Sequence, residues 1–387
     1  MTSAPPLRVA ILAHSTNPRG GVVHALELGD ALTRLGCEIV VHAPDVKGTG
    51  FFRETLCGAV SVPASPVGAD RTAMVEARIA DYVAHFENPA HRRFDVFHAQ
   101  DGISGNALAT LKERGLIRRF ARTVHHVDAF ADQRLSALQT RAILDADELF
   151  VVSRLWRDHL GAHFGRAATL VGNGVDRIRF SPQGDRREDS LRARLGLKAG
   201  PIFLAIGGVE ERKNTIGVLE AFAQVRRIRA GAQLLIAGGA SLLDHADYQA
   251  RFSTALAASG LPPGAVAIAG PIAQSDLPAL YRIADALVFP SVKEGFGLVV
   301  LEAMASGVPV VTSRIAPFTE YLAEDDVVWC RPNSISSIAD AMLMALAPVL
   351  RARLVKRGLA VAARHDWLRV GAAHRPVYDA LAELEHA

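Results

Sequence analysis

The chain has 387 residues, half of them hydrophobic and 21% charged, a balance that excludes a disordered or collagen-like protein. Lys and Arg number 43 against 40 Asp and Glu, and the resulting net charge of +3 is too small to mark a nucleic-acid binder. Three scattered cysteines, Cys37, Cys57 and Cys330, form no CxxC and no Cys/His cluster, which argues against a disulfide scaffold and a structural zinc site.

At roughly 100–200 residues per domain the length implies about two domains. The first apolar run, Leu7–Ala13, is too short for a signal segment, and no stretch approaches about 18 uncharged apolar residues. A reducing, cytoplasmic setting is therefore expected, with peripheral contact at the inner face of a membrane as an added reading. Arg8–His14 reads as a buried strand, short and apolar and followed by a Gly/Pro/Asn/Ser loop. Val22–Leu35 has its apolar residues at helical spacing, with Gly36 as its cap. Strands follow at Glu38–His42, Asp95–Ala99, Arg122–His126 and Leu149–Val152, with helical stretches between them. Such alternation predicts a parallel sheet covered on both faces.

The alternation breaks over Asp176–Gly200, where Pro182, Gly184 and the charge run Asp185–Asp189 suggest an inter-domain connection. It resumes with strands Pro201–Ile206, Gln233–Ala237, Val266–Ala269, Ala286–Phe289 and Val308–Thr312. Helices are predicted at Asn214–Arg229, Asp244–Ser259, Asp276–Ala284 and Leu298–Ser306. DELFVVS (Asp147–Ser153) and DALVFPS (Asp285–Ser291) echo each other weakly, as two similar doubly wound domains would. The last stretch, with Trp367, Val370, Val377, Leu381 and Leu384 at helical spacing, is expected to pack back on the body, and Pro376 to break or restart its helix. The domain reading is 1–180, 200–365 and a helical segment 366–387. In open α/β sheets ligands bind outside the carboxyl ends of the strands, so the post-strand loops were read for chemistry.

Four such loops stand out. Asn17-Pro18-Arg19-Gly20-Gly21 lies between a strand and a helix, where glycines let amides approach an anion at a helix N-terminus; a plain tight turn is the simpler reading. Its spacing is neither a P-loop nor GxGxxG. Gly207-Gly208-Val209-Glu210-Glu211-Arg212-Lys213-Asn214 ends a strand in glycines and offers two adjacent cations to a diphosphate; otherwise it is a solvated charged loop. Glu294-Gly295-Phe296-Gly297-Leu298-Val299-Val300-Leu301-Glu302 is the strongest signal: one glutamate in a glycine loop, a second eight positions on, about one turn into a helix. The first can accept from sugar hydroxyls and the second from a ribose diol, although a first-turn glutamate also stabilises a helix dipole unaided. Thr123-Val124-His125-His126-Val127-Asp128 places a histidine pair and an aspartate at a strand end, with no third ligand spaced for a metal.

Two further signals were discounted. Asp145-Ala146-Asp147 has the form of a metal-binding DxD but ends a helix ahead of a buried strand, so no metal is expected. The basic segments Leu111–Phe120 and Arg351–Arg375 read first as solvated helix faces and second as membrane-contact surfaces.

These residues together resemble a known family: retaining glycosyltransferases of GT-B fold, glycosyltransferase family 4. The most specific match is Glu294 to Glu302 within PSVKEGFGLVVLEAMASGVPVV. Gly20-Gly21, His98–Asp101, Thr123-Val124-His125, Ser153, Asn173–Asp176 with Phe180 and Pro182, and Trp367 extend it over nearly the whole chain. The resemblance implies an α/β GT-B architecture, two Rossmann-like doubly wound domains facing across a cleft. It implies a nucleoside-diphosphate sugar as donor, a UDP-sugar first and a GDP-sugar as alternative, with no other cofactor and no nucleic-acid partner. Glu294 would bind sugar hydroxyls amid the backbone of Gly295, Phe296 and Gly297, and the Leu298 and Val299 amides would face the diphosphate. Glu302 would bind the ribose and the loop at Ile272 the base. Gly20, Gly21, Arg212 and Lys213 would hold phosphates, and His125 would touch the donor sugar. His125, Lys213 and Glu294 are the expected catalytic residues, and Asn17, His98 and Asp101 the acceptor-side candidates. The chain departs from the family where its clamp arginine is expected: Gly208 occupies that position, and Arg212 is the substitute. Transfer of a hexosyl group to an acceptor hydroxyl is the leading reading. A sugar-nucleotide 2-epimerase of the same architecture and a non-catalytic nucleotide-sugar binder are the rivals.

Overall fold

The computed structural model describes residues 5–68, 70–239 and 246–386. The chain divides into two compact units, 1–173 with 367–387, and 174–366. The first contains β1 (Arg8–Leu12), α1 (Gly20–Arg34), β2 (Glu38–Asp45), β3 (Gly58–Pro63), α2 (Arg71–Glu87), β4 (Val96–Ala99), α3 (Gly102–Glu113), β5 (Ala121–Val124), α4 (Gln133–Leu144), β6 (Glu148–Val151), α5 (Arg154–Phe164) and β7 (Thr169–Leu170). The second contains α6 (Arg187–Arg194), β8 (Ile202–Ile206), α7 (Thr215–Ile228), β9 (Gln233–Ala237), α8 (Ala246–Ala258), β10 (Val266–Gly270), α9 (Leu277–Arg282), β11 (Ala286–Phe289), α10 (Leu298–Ala305), β12 (Val310–Ser313), α11 (Phe318–Tyr321), β13 (Val328–Cys330), α12 (Ile335–Ala345) and α13 (Pro348–Arg364). The final helix, α14 (Trp367–His386), returns to the first unit, where its Gly371 lies against Leu35 and Ala31 of the α1 end.

Both sheets are parallel. Their strand orders are β3-β2-β1-β4-β5-β6-β7 and β10-β9-β8-β11-β12-β13. Each is the doubly wound order in which the chain leaves the first strand in one direction and restarts on its other side. The central strands are apolar almost without interruption because helices cover both faces: β8 is IFLAI, β9 QLLIA and β4 is buried at every position. One core joins Phe86, Phe97, Leu108, Phe120 and Trp156, and the other joins Phe203, Phe222, Phe252, Ile338 and Met342. In each unit the reversal lies between the first and fourth strands, the position at the strands' carboxyl ends where ligands bind in such sheets.

Several predicted elements shift. α1 begins at Gly20, two residues early, so the glycine pair forms its first turn instead of a loop before it. Gly36 does end it, at φ +86°, with the Cys37 amide bonded to the Leu32 carbonyl. The charge run read as a connection belongs to the second unit and contains α6, whose Glu188 pairs with Arg282 of α9. Helix α14 runs through Pro376, where the missing hydrogen bond is outweighed by the packing of buried Trp367, Val370, Tyr378 and Leu381. The start of the helix predicted at Asp244 and the side chain of Leu384 lie outside the described residues. DELFVVS forms β6 and DALVFPS forms β11, which hold different places in their sheets, so the echo does not mark equivalent strands.

Candidate active site

In the second unit the post-β8 and post-β11 loops meet at the reversal. Gly207 and Gly208 have φ of +120° and +76°. A Cβ on Gly207 would fall 2.9 Å from Lys213 Cε, and one on Gly208 would fall 2.9 Å from the Gly239 carbonyl oxygen. The glycines therefore let the Lys213 side chain lie flat across the strand end and the two loops close on each other. Lys213 Nζ reaches Glu294 Oε1 at 2.5 Å and stands 4.3 Å from the centre of the Phe289 ring. Arg212 Nη1 reaches the same oxygen at 2.8 Å, and Arg212 Nη2 lies 3.5 Å from buried Glu210.

Two cations thus converge on one oxygen. Burial acts to raise the Glu294 carboxyl, but Lys213 and Arg212 outweigh it and hold the group below the ordinary carboxylate range. Burial also draws the Lys213 ammonium below its ordinary value, against the pull of Glu294. Gly297 precedes α10 at φ +91°, where a Cβ would meet Phe318 at 2.6 Å. No side chain caps the start of α10. Phe296 is buried and stacked on Tyr321, 4.6 Å between centroids, and it supports the loop from below.

Glu302, half-buried, accepts from the Tyr281 hydroxyl at 2.5 Å. Burial raises its carboxyl, and the Tyr281 bond and the Arg179 charge only partly offset this. Arg179 is itself held by the backbone and side chain of Gln274, beside the Ile272 loop. Sequence reasoning missed Tyr281 and Arg179. The only available signal was their nearness, in sequence, to Phe180 and to the helix before β11.

In the first unit the reversal lies between β1 and β4. Gly21, in the uncapped first turn of α1, faces His125, whose Cδ2 would be 3.6 Å from an added Cβ. His125 Nε2 lies 3.1 Å from Gln100 Oε1, and His24 of α1 stands edge-on to the His125 ring, 4.8 Å between centroids. Burial, with His24, His126, Arg122 and His14 around it, pulls the His125 imidazole well below its ordinary value and keeps it neutral. Asn17 is exposed. Asp101 caps α3 through the Ser104 amide and lies 3.7 Å from His14. His98 is a correction: it is fully buried, with both ring nitrogens engaged by Tyr378 and Thr123, so it supports the site and offers no surface to an acceptor.

Asp147 is tied to Lys112 and to the Phe120 amide, and Asp145 to Arg141, which accounts for both acids of the DxD. Among the described residues no group of three or more His, Cys, Asp or Glu is placed to hold a metal ion. No helix among them is long and apolar enough to cross a membrane.

Two parallel doubly wound units, the second with Lys213 and Arg212 converging at the reversal of its sheet, define a protein of GT-B fold. The sequence matches Glycosyltransferase Family 4 over residues 18–179 and Glycosyl transferases group 1 over residues 187–359. The chain is 30% identical to a D-inositol 3-phosphate glycosyltransferase of Saccharomonospora viridis over 316 residues, covering 76% of this chain and 71% of that one. Among solved structures it resembles sucrose-phosphate synthase from Thermosynechococcus elongatus, with a TM-score of 0.80, 22% identity and coverage of 97% and 99%. It also resembles Anabaena HepE, solved with UDP and glucose, with a TM-score of 0.77, 16% identity and coverage of 97% and 100%. The chain belongs to glycosyltransferase family 4, and it is a glycosyltransferase that draws its sugar from a nucleotide sugar.

Proposed function

We propose that the protein transfers a hexosyl group, with retention of configuration, from a nucleoside-diphosphate sugar to an acceptor hydroxyl, with a UDP-sugar as the favoured donor. The convergence of Lys213 and Arg212 on Glu294 Oε1 carries this reading. Breaking a sugar–phosphate bond leaves negative charge on the diphosphate, and cations fixed beforehand at that point need no reorganisation as the charge develops. Lys213 and Arg212 would take the phosphates, with the Leu298 and Val299 amides and the Gly20-Gly21 turn. Glu294, released from them, would accept from the sugar hydroxyls beside Gly295, Phe296 and Gly297.

Glu302 would hold the ribose and the Ile272 loop the base. His125 would be the first unit's contact to the donor sugar, and Asn17 and Asp101 its contacts to the acceptor. Arg212 would replace the family's arginine, since a Cβ at Gly208 would fall 2.9 Å from the Gly239 carbonyl oxygen. Attack on the face the diphosphate leaves would give retention without a covalent glycosyl-enzyme.

The test is Lys213→Ala assayed with a panel of nucleotide sugars. If Lys213 acts as one strong donor to the departing oxyanion, kcat/KM falls by 10²–10³, on the order of 3 kcal/mol. Undiminished turnover would remove it from the mechanism. Glu294→Gln should harm transfer more than nucleotide binding, and equal loss of both would make it a structural glutamate. Conversion of the donor with no acceptor present would favour the epimerase instead.

A further inference from the structure

His125 does not stand alone. His24 and Gln100 lie against it, and the first turn of α1 faces it at Gly21. His24 of α1 is fixed by its Nδ1–H donating to Asn173 Oδ1 at 2.6 Å, and its ring meets both His125 and Trp367 of α14 edge-on. Gln100, two residues beyond His98 after β4, is 2% exposed. Its amide nitrogen lies 3.4 Å from each ring nitrogen of His98.

His98 cannot turn to meet that amide. Its Nδ1 lies 2.6 Å from the Tyr378 hydroxyl of α14 and its Nε2 lies 2.8 Å from Thr123 Oγ1. His374 of α14 packs against it on a further side, 5.6 Å between centroids. With its nitrogen beside His98, the Gln100 amide must turn its oxygen toward His125 Nε2, which lies 3.1 Å away. An amide oxygen only accepts, so the shared proton belongs to His125 Nε2. A neutral imidazole carries one proton, and Nδ1 is then a lone pair. That nitrogen makes no hydrogen bond within the described residues, and the opposite edge, Cδ2 and Nε2, is the one turned to Gly21.

We propose that Gln100 is a positioning residue that locks His125 as the Nε2–H tautomer, so that Nδ1 is presented to the donor sugar as a hydrogen-bond acceptor, and that α14 holds this setting through Tyr378 and His98. This rests on the reading that His125 faces the donor sugar. It adds a specificity: the sugar group opposite Nδ1 must be a hydroxyl able to donate. A deoxy or O-methyl sugar at that position is discriminated against, because it leaves a desolvated lone pair unpaired. It also gives the C-terminal helix a part in the chemistry of His125 through Tyr378 and His98.

Nitrogen-15 spectra of the full-length, histidine-labelled protein test the tautomer directly. The His125 signals, assigned by their loss in His125→Ala, should show protonated Nε2 and bare Nδ1 in the wild type. In Gln100→Leu they should show exchange between the two tautomers, and in Tyr378→Phe a partial shift the same way. In turnover, Gln100→Leu should lower kcat about tenfold with the donor KM within about twofold, the mark of lost orientation rather than lost binding. Gln100→Glu, which still accepts at the same place, should recover most of that loss. Nδ1–H in the wild type, or an unchanged tautomer in Gln100→Leu, overturns the proposal. Should Gln100→Leu fail to fold, the wild-type and Tyr378→Phe spectra decide it. Full turnover in His125→Ala would instead overturn the reading of His125 as a sugar contact, whatever the spectra of the other variants show.

Discussion

Of the fourteen histidines, all but His245 and His365 belong to the first unit, and most of those near its crevice are buried. The second unit builds its crevice from carboxylates and cations, Glu210, Arg212, Lys213, Glu294 and Glu302. The six strands of the second sheet repeat the order of the first six strands of the first, so the backbone sets where a site lies and leaves its chemistry to the side chains. The difference matches two tasks. In the proposed function a diphosphate would need permanent charge, which Lys213 and Arg212 would supply and which Glu294 neutralises in the structure. A neutral sugar would need groups that accept or donate without charge, which neutral imidazoles such as His125 could provide. The first unit accepts a cost for this, because each buried imidazole must stay neutral for the unit to stay folded.

That cost gives the largest expected effect. Burial draws His24 down to about 4, and His42 and His374 to about 3, against about 6.5 unfolded. A histidine with a lowered folded value contributes its full stability above about 6.5 and loses it as the pH falls toward the folded value, because the unfolded chain then binds the extra proton. Between pH 7 and pH 5 each of the three should remove about 2 kcal/mol. Trp156 and Trp367 report on the first unit and Trp329 on the second. Urea unfolding followed in Trp329→Phe should lose stability steeply over that range. The same experiment in a Trp156→Phe/Trp367→Phe variant should lose far less. Equal losses in both would break the contrast.

Two glycine substitutions probe the other side. Gly297→Ala places a Cβ 2.6 Å from Phe318 at φ +91°, so about 2–3 kcal/mol of stability should go, read from the Trp329 midpoint, together with donor binding. Gly208→Arg restores the family's residue type but not its space. It should cost about 1–3 kcal/mol and raise no activity, because its Cβ meets the Gly239 carbonyl. Rescue of Arg212→Ala by Gly208→Arg would show that the clamp had not moved.

The central strands and the Glu294–Glu302 block were legible because parallel strands covered on both faces are plain apolar runs and glycine loops punctuate them. β3 and α6 were not. β3 is a half-exposed edge strand, and α6 buries only Leu191 within a charged stretch, so neither shows a clear period. His98 misled for a related reason. A polar residue in a four-residue strand looks available, yet β4 is buried at every position and its histidine is satisfied by Tyr378, 280 residues away. Tyr281 on Glu302 and Gln100 on His125 are pairings across the fold, 21 and 25 residues apart, and spacing carries no trace of them. The cation proposed in place of the clamp arginine was half legible: the sequence names Arg212, and only the backbone shows that a Cβ at Gly208 would meet the Gly239 carbonyl.

The smallest effect concerns the two basic segments read as membrane contacts. In Leu111–Phe120 the apolar side chains already have their place: Leu111, Ile117 and Phe120 are buried and Leu116 packs on the same core. Lys112 is paired with Asp147 and Arg114 with Glu87. In the later segment Arg351, Arg353, Arg357 and Arg375 are each paired with an aspartate. Insertion of the first segment would have to withdraw Leu111, Ile117 and Phe120 from the core at about 1.5–3 kcal/mol each, more than a few exposed arginines gain at an anionic surface. Arg118→Glu/Arg119→Glu should therefore sediment with phosphatidylserine vesicles to the same extent as the wild type, and Arg114→Ala should cost less than about 1 kcal/mol of stability. A clear loss of vesicle binding in the double variant would give the first unit a second, charge-based surface and blur the division between the units.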